Sequence, residues 1–101
     1  MTVRTESIQF KADGKLLSYI EKKMAKLEQF FDRIIDAEVK LRLENSGQVR
    51  DKVAEIKLQV PGTTLFVKHT NKTFEASIDE AADSLRRQLV KYKDKMRNKA
   101  A

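Results

Sequence analysis

Two stretches of the chain carry apolar residues at helical spacing, and the rest of its apolar residues fall at strand spacing. The clearest helical run begins at Thr73. Phe74, Ile78, Ala81, Leu85, Leu89, Tyr92 and Met96 follow one another at steps of 4, 3, 4, 4, 3 and 4, which is one face of a 3.6-residue helix. Residues 14–33 show the same period through Leu16, Leu17, Ile20, Met24, Leu27 and Phe31, with Asp13 as the predicted N-cap. Between these runs the period drops to two. Ala37, Val39, Leu41 and Leu43 point one way and Glu38, Lys40, Arg42 and Glu44 the other. After a turn signal at Asn45-Ser46-Gly47-Gln48, residues 52–60 repeat the pattern, with Ala54, Ile56, Leu58 and Val60 against Glu55, Lys57 and Gln59. Cross-strand pairing of Lys40 or Arg42 with Glu55 is expected. Pro61-Gly62 marks a second turn, and residues 63–70 predict another strand whose inward set is blurred by consecutive Leu65, Phe66 and Val67. A first strand is predicted over residues 3–10, with Val3 and Thr5 on one face and Ile8 and Phe10 on the other.

The predicted order is β-α-β-β-β-α. Strands with one apolar face and helices with one apolar stripe pack as an α+β fold: a four-stranded sheet with two helices on one face. The last three strands suit an antiparallel meander, and the first strand joins the second through a helical crossover. Phe31, Phe66 and Phe74 are expected in the core. At 101 residues the chain is read as a single domain, residues 1–101, with a tail expected to fray from about residue 97.

Charge changes the picture most at the C-terminal end. From Ser84 to Ala101, Arg86, Arg87, Lys91, Lys93, Lys95, Arg97 and Lys99 face a single acid, Asp94, and this segment holds the whole formal charge of +6. Acids open the same helix at Glu75, Asp79, Glu80 and Asp83, a polarity that suits the helix dipole. The dipole acts over the terminal turn and leaves Arg86, Arg87 and Lys91 unexplained. On a helical wheel Arg87 lies opposite the apolar face, Lys91 and Lys95 on one flank, and Arg86, Lys93 and Arg97 on the other. The first helix conceals a second stripe: Lys15, Lys22, Lys26 and Arg33 fall within about 40° of one another away from its apolar face, with Tyr19 beside them. Two such stripes side by side would engage a polyanion, RNA or DNA first, and a rigid folded RNA better than a flexible strand. The bland alternative is a pair of solvated helix faces with local ion pairs to Glu28, Asp83 and Asp94. Tyr19 and Tyr92 are the aromatics able to reach a base, or else half-buried tyrosines at helix edges.

Chemistry finds little support. His69 is the only histidine and sits on a strand with no acid pattern nearby; the glycines Gly14, Gly47 and Gly62 stand alone in turns, so no phosphate loop is present. Without cysteine there is neither a disulfide nor a thiolate metal site. No motif calls for a cofactor or a small-molecule substrate. The N-terminal residues lack a signal-peptide run and no segment has transmembrane length, so a cytosolic protein without a membrane partner is expected.

Two segments resemble a known family. Ala25-Lys26-Leu27-Glu28-Gln29-Phe30-Phe31-Asp32-Arg33-Ile34 is similar to the first-helix signature of the ribosome hibernation-promoting factor and ribosome-associated inhibitor family. Phe74-Glu75-Ala76-Ser77-Ile78-Asp79, with Leu85-Arg86-Arg87-Gln88-Leu89 and Lys91-Tyr92-Lys93-Asp94-Lys95, resembles its second helix. The resemblance covers nearly the whole chain. It implies a fold shaped like a double-stranded-RNA-binding domain and a non-enzymatic role on the small ribosomal subunit. There the protein would contact rRNA in the mRNA and tRNA channel near the decoding region and silence translation by occupancy. Carried over by position, Lys23, Lys26, Arg87, Lys91, Lys93 and Lys95 match basic family positions. The wheel adds Lys22, Arg33, Arg86 and Arg97 as candidate rRNA contacts. Lys23 lies nearer the apolar face and would have to snorkel outward. Two departures stand out. The short family form, without the C-terminal dimerisation domain of the long form, is expected, so that pairing ribosomes would need a separate dimerising factor or another contact. Phe74 stands where many members open the second helix with Tyr. The alternatives are a general double-stranded-RNA module and a domain that meets an acidic protein.

Overall fold

The computed structural model describes residues 1–46 and 49–99 and has the order β1 (Thr2–Ile8), α1 (Gly14–Phe30), β2 (Asp36–Ser46), β3 (Val49–Val60), β4 (Thr63–Asn71) and α2 (Phe74–Lys99). Gly47 and Gln48 of the predicted turn lie outside the described residues, as do Ala100 and Ala101 at the end of the tail expected to fray; α2 itself runs helically to Lys99. The four strands lie in sequence order, β1 parallel to β2 and β2, β3 and β4 antiparallel.

Period two places whole strands on one face or the other. Val3 pairs with Ala37 and Thr5 with Val39, while Ala37 meets Leu58, Val39 meets Ile56 and Ile56 meets Val67. These inward positions join Leu16, Ile20, Met24 and Leu27 of α1 and Ile78, Ala81, Leu85 and Leu89 of α2 in one buried core. Both helices therefore pack on the same sheet face, and the opposite face is open. On that face Arg42 of β2 pairs with Glu55 of β3, as the strand pattern predicts, and Arg4 of β1 pairs with Glu38 at 2.7 Å.

The structure departs from three expectations. β1 stops at Ile8 because Gln9 takes a positive φ of 64°, a left-handed conformation uncommon outside glycine. The chain turns there, and Phe10 leaves the sheet to stack on Phe74 at 4.9 Å. Helix α1 ends at Phe30, three residues short of the predicted end. Its C-cap Phe31 takes extended dihedrals (φ −143°, ψ 106°) and lays its ring edge-on to Tyr92 at 5.5 Å. Arg33 is thus in the turn after the helix and not on its stripe. Phe66, expected in the core, pairs with Lys57 on the open face and is 47% exposed, while Leu65 and Val67 point to the helices.

Two polar ties fix the helices. The Asp13 side chain accepts from the backbone N–H of Leu16 at 2.8 Å, which caps α1 as predicted. Ser77, fully buried in α2, donates to the Lys52 carbonyl of β3 at 2.6 Å, with the Thr73 carbonyl at 3.2 Å as a second acceptor. Ser77→Ala removes this tie without changing the apolar packing. The expected cost is about 1–2 kcal/mol, read as a lower urea midpoint at unchanged denaturant slope.

Candidate nucleic-acid interface

Helices α1 and α2 lie side by side and point the same way. Near their starts Tyr19 and Lys23 meet Asp79, and near their ends Phe30 meets Arg86 and Lys93. The residues that meet across the helix pair are Tyr19, Lys23 and Phe30 of α1 with Asp79, Arg86 and Lys93 of α2.

At the N-terminal end three polar groups close a cluster. The Tyr19 hydroxyl donates to the Asp79 carboxylate, and the Lys23 ammonium reaches the same oxygen at 3.0 Å. The hydrogen bond from Tyr19, then Lys23, holds the Asp79 carboxyl below the usual carboxylate range, and the Tyr19 and Lys23 groups are both raised, chiefly by their bonds to Asp79. Lys23 is therefore engaged inside the protein, and Tyr19 is a helix-to-helix tie. Tyr92 is likewise tied: its hydroxyl donates to the Pro61 carbonyl at 2.5 Å.

At the C-terminal end the cations themselves cover Phe30. The Arg86 guanidinium lies 5.0 Å and the Lys93 ammonium 4.6 Å from its ring centroid. Lys93 also sits 3.5 Å from the Phe30 carbonyl, at the negative end of α1, whose own last turn holds no basic residue. Arg33, misplaced by the helical wheel, nonetheless joins this group: it lines one hollow of about 430 Å³ with Phe30, Lys93 and Arg97. On the other flank of α2, Lys91 and Lys95 border a wider groove of about 870 Å³ beside the β3–β4 turn. Arg87, between the flanks, donates to Ser84 Oγ at 3.1 Å. The side chains of Lys22, Lys26, Arg33, Lys91, Lys95 and Arg97 form no ion pair or hydrogen bond with other described residues. A cation without an internal partner is available to an external anion.

His69 has the acidic neighbour that local sequence did not reveal. Its Nδ1 lies 3.4 Å from Glu80 Oε2 and its Nε2 2.7 Å from Ser84 Oγ, both on α2. The Ser–His–Glu order resembles a nucleophile relay, but Arg87 also occupies Ser84 Oγ, and Ser84 stands within a continuous helix whose N–H groups bond along its own ladder. The network serves to tie β4 to α2 and to hold Arg87. Among the described residues no cluster of His, Asp or Glu is arranged to hold a metal ion, and no helix is long and apolar enough to cross a membrane.

Fold and charge together define a small α+β binding domain with a cationic two-helix face. A family model described as Sigma 54 modulation protein / S30EA ribosomal protein matches residues 3–97, and the chain belongs to this family. It is 34% identical over 95 residues to a ribosome hibernation promoting factor of Azotobacter vinelandii, covering 94% of this chain and 85% of that protein. Against the factor of the same name from Escherichia coli K12 it is 37% identical over 82 residues, 81% of this chain and 82% of the relative. A solved ribosomal subunit interface protein from Coxiella burnetii shares the fold, with a TM-score of 0.82 at 19% identity over 93% of this chain and 99% of that one. Membership places the chain among ribosome-associated, non-enzymatic binding proteins.

The Tyr19–Asp79–Lys23 cluster makes a pH prediction. Asp79 is depressed, so its contribution is complete above the ordinary carboxylate range and lost as pH falls through its folded value. Tyr19 and Lys23 are raised, so theirs is present below about pH 10 and lost as pH rises through their folded values. Asp79→Asn should flatten the stability profile between neutral and acid pH. Because Asp79 is 44% exposed, the expected difference at pH 7 is below about 1 kcal/mol, read by thermal melts across pH.

Proposed function

We propose that this chain is a cytoplasmic ribosome hibernation factor. It docks on the small ribosomal subunit in the channel of mRNA and tRNA, near the decoding region, and inhibits translation by occupying that space. The observation that carries the reading is the set of cations on two adjacent helices, of which Lys22, Lys26, Lys91, Lys95 and Arg97 have no ion pair among the described residues, together with family membership. Lys22 and Lys26 of α1, Arg33 after it, and Arg86, Arg87, Lys91, Lys93, Lys95 and Arg97 of α2 would face rRNA phosphates. Lys23 would contribute through its hold on Asp79 or by exchanging that carboxylate for a phosphate. Phosphate contacts supply affinity, and selection of the site falls to the fit between two rigid helices and a concave RNA surface.

A general double-stranded-RNA module is the competing reading, and it differs in preferring any long duplex to an intact subunit. Co-sedimentation with purified ribosomes separates the two. Saturable binding, displaced by tRNA and mRNA, is expected; competition by bare duplex RNA at equal concentration would refute the channel reading. Neutralising about six phosphates should lower affinity on the order of a thousandfold between 50 and 200 mM salt. Lys91→Glu with Lys95→Glu should leave the fold intact, since both residues are exposed, and abolish pelleting with ribosomes. Retained pelleting by that folded variant would remove this flank of α2 from the interface.

A further inference from the structure

The groove between the β3–β4 turn and the C-terminal half of α2 combines features that the other hollows lack. The hollow on the open sheet face has an aromatic, Phe66, and two cations, Lys40 and Lys57, but three carboxylates, Glu6, Glu38 and Glu55, line it as well and would repel an anion. The hollow at the end of α1 has its aromatic, Phe30, already covered by Arg86 and Lys93. The groove beside Pro61 and Gly62 is larger, about 870 Å³, and is lined by no acid and by no aromatic that a cation covers. Leu65, Met96 and the ring of Tyr92 give it apolar walls, and Met96 is 40% exposed although it continues the apolar series of α2. Lys91 and Lys95 stand on its rim with no ion pair among the described residues. The Tyr92 hydroxyl, bonded to the Pro61 carbonyl, ties the turn to the helix, so the groove is held open as built. Gly62, at φ 84°, has nothing within 4 Å of where a Cβ would stand, which leaves the turn side unobstructed.

We infer that this groove takes a single unpaired nucleotide of RNA, its base between Leu65, Met96 and Tyr92 and its flanking phosphates on Lys91 and Lys95. The inference rests on the RNA-facing reading of α2 and adds a base-recognition site to a surface otherwise built for phosphates. An apolar slot flanked by cations suits a planar base joined to anions, whereas a duplex would keep its bases stacked and present phosphates alone. The two lysines are one helical turn apart, about 6 Å along the axis, so that one splayed nucleotide can present a phosphate to each. Tyr92 enters as a wall of the slot, its hydroxyl being committed to Pro61.

The test is an amide-shift titration of the nitrogen-15-labelled full chain with a short single-stranded RNA holding a central adenine, and with the same RNA abasic at that position. Saturable shifts are expected at Thr63, Leu65 and Gln88, with the adenine RNA bound about tenfold more tightly than the abasic one. Met96→Gln, at an exposed position, should narrow that difference to about threefold or less, while Lys91→Gln with Lys95→Gln should weaken both RNAs alike. Equal binding of the two RNAs, shifts confined to other surfaces, or no binding of either would overturn the inference. Tighter binding in the groove of an acidic peptide bearing a tryptophan would reassign it to a protein partner. Failure of the ribosome reading shows separately, as wild-type protein that does not pellet with ribosomes, whatever the titration gives.

Discussion

The outward chemistry of this protein depends on one apolar seam. Ile78, Ala81, Leu85 and Leu89 of α2 are wholly buried against the sheet and against Ile20, Met24 and Leu27 of α1. That seam fixes the rotation of α2 about its own axis, and with it the direction of every cation on the helix. The basic residues repel one another and would not, by themselves, order a helix. Burial of the opposite side holds them in place, and the register-locked strands beneath keep the seam from slipping. The cost of concentrating like charge is thus met by packing, and the charge remains available.

The distribution of acids completes the arrangement. Acidic groups are used inside the protein: Asp79 binds Tyr19 and Lys23, Glu80 meets His69, and Glu38 and Glu55 neutralise arginines on the open sheet face. The open face is therefore balanced, while the C-terminal half of α2 has one acid, Asp94, among its cations. The helices also run in the same direction, which brings the negative end of α1 to the basic half of α2. Lys93 meets that end at the Phe30 carbonyl, supplying the cation that α1 lacks in its last turn. Helix packing and surface charge thus support one another at the same place.

Much of this was legible in the sequence because the strong periodicities are also the ones tertiary packing obeys. The 4-3-4 spacing of α2 gave its face, and alternation in β2 and β3 gave register partners down to Glu55 opposite Lys40, with Arg42 closing the ion pair. The failures occur where local pattern underdetermines direction. Three consecutive apolar residues in β4 carry no parity, and pairing with Lys57 is what turns Phe66 outward. Phe31 continues the spacing of α1, but it is the extended cap residue, with its ring edge-on to Tyr92, and Arg33 beyond it lines the same hollow as Arg97. Glu80 and Ser84 come to His69 from another element, and no window of sequence around His69 contains them. Of the candidate site, the identity of the cations was readable; which of them are internally engaged was not, because Asp79 reaches Lys23 only across the helix pair.

That division among the cations bears on how the face can discriminate. Were all its charges free and mobile, the domain would follow any polyanion, with affinity set by phosphate density alone. Instead Lys23, Arg86 and Lys93 are drawn toward the protein by Asp79 and Phe30, while Lys91 and Lys95 on one edge and Arg33 and Arg97 on the other stand free. Free charges on two edges, separated by a helix whose rotation is set by its buried seam, demand a ligand with anions on both sides of a ridge. A concave RNA surface supplies that, and a single flexible strand can do so only by giving up conformational entropy. Selectivity of this kind would come from rigidity and spacing, so that on the proposed reading the apolar seam would govern recognition as much as the lysines do.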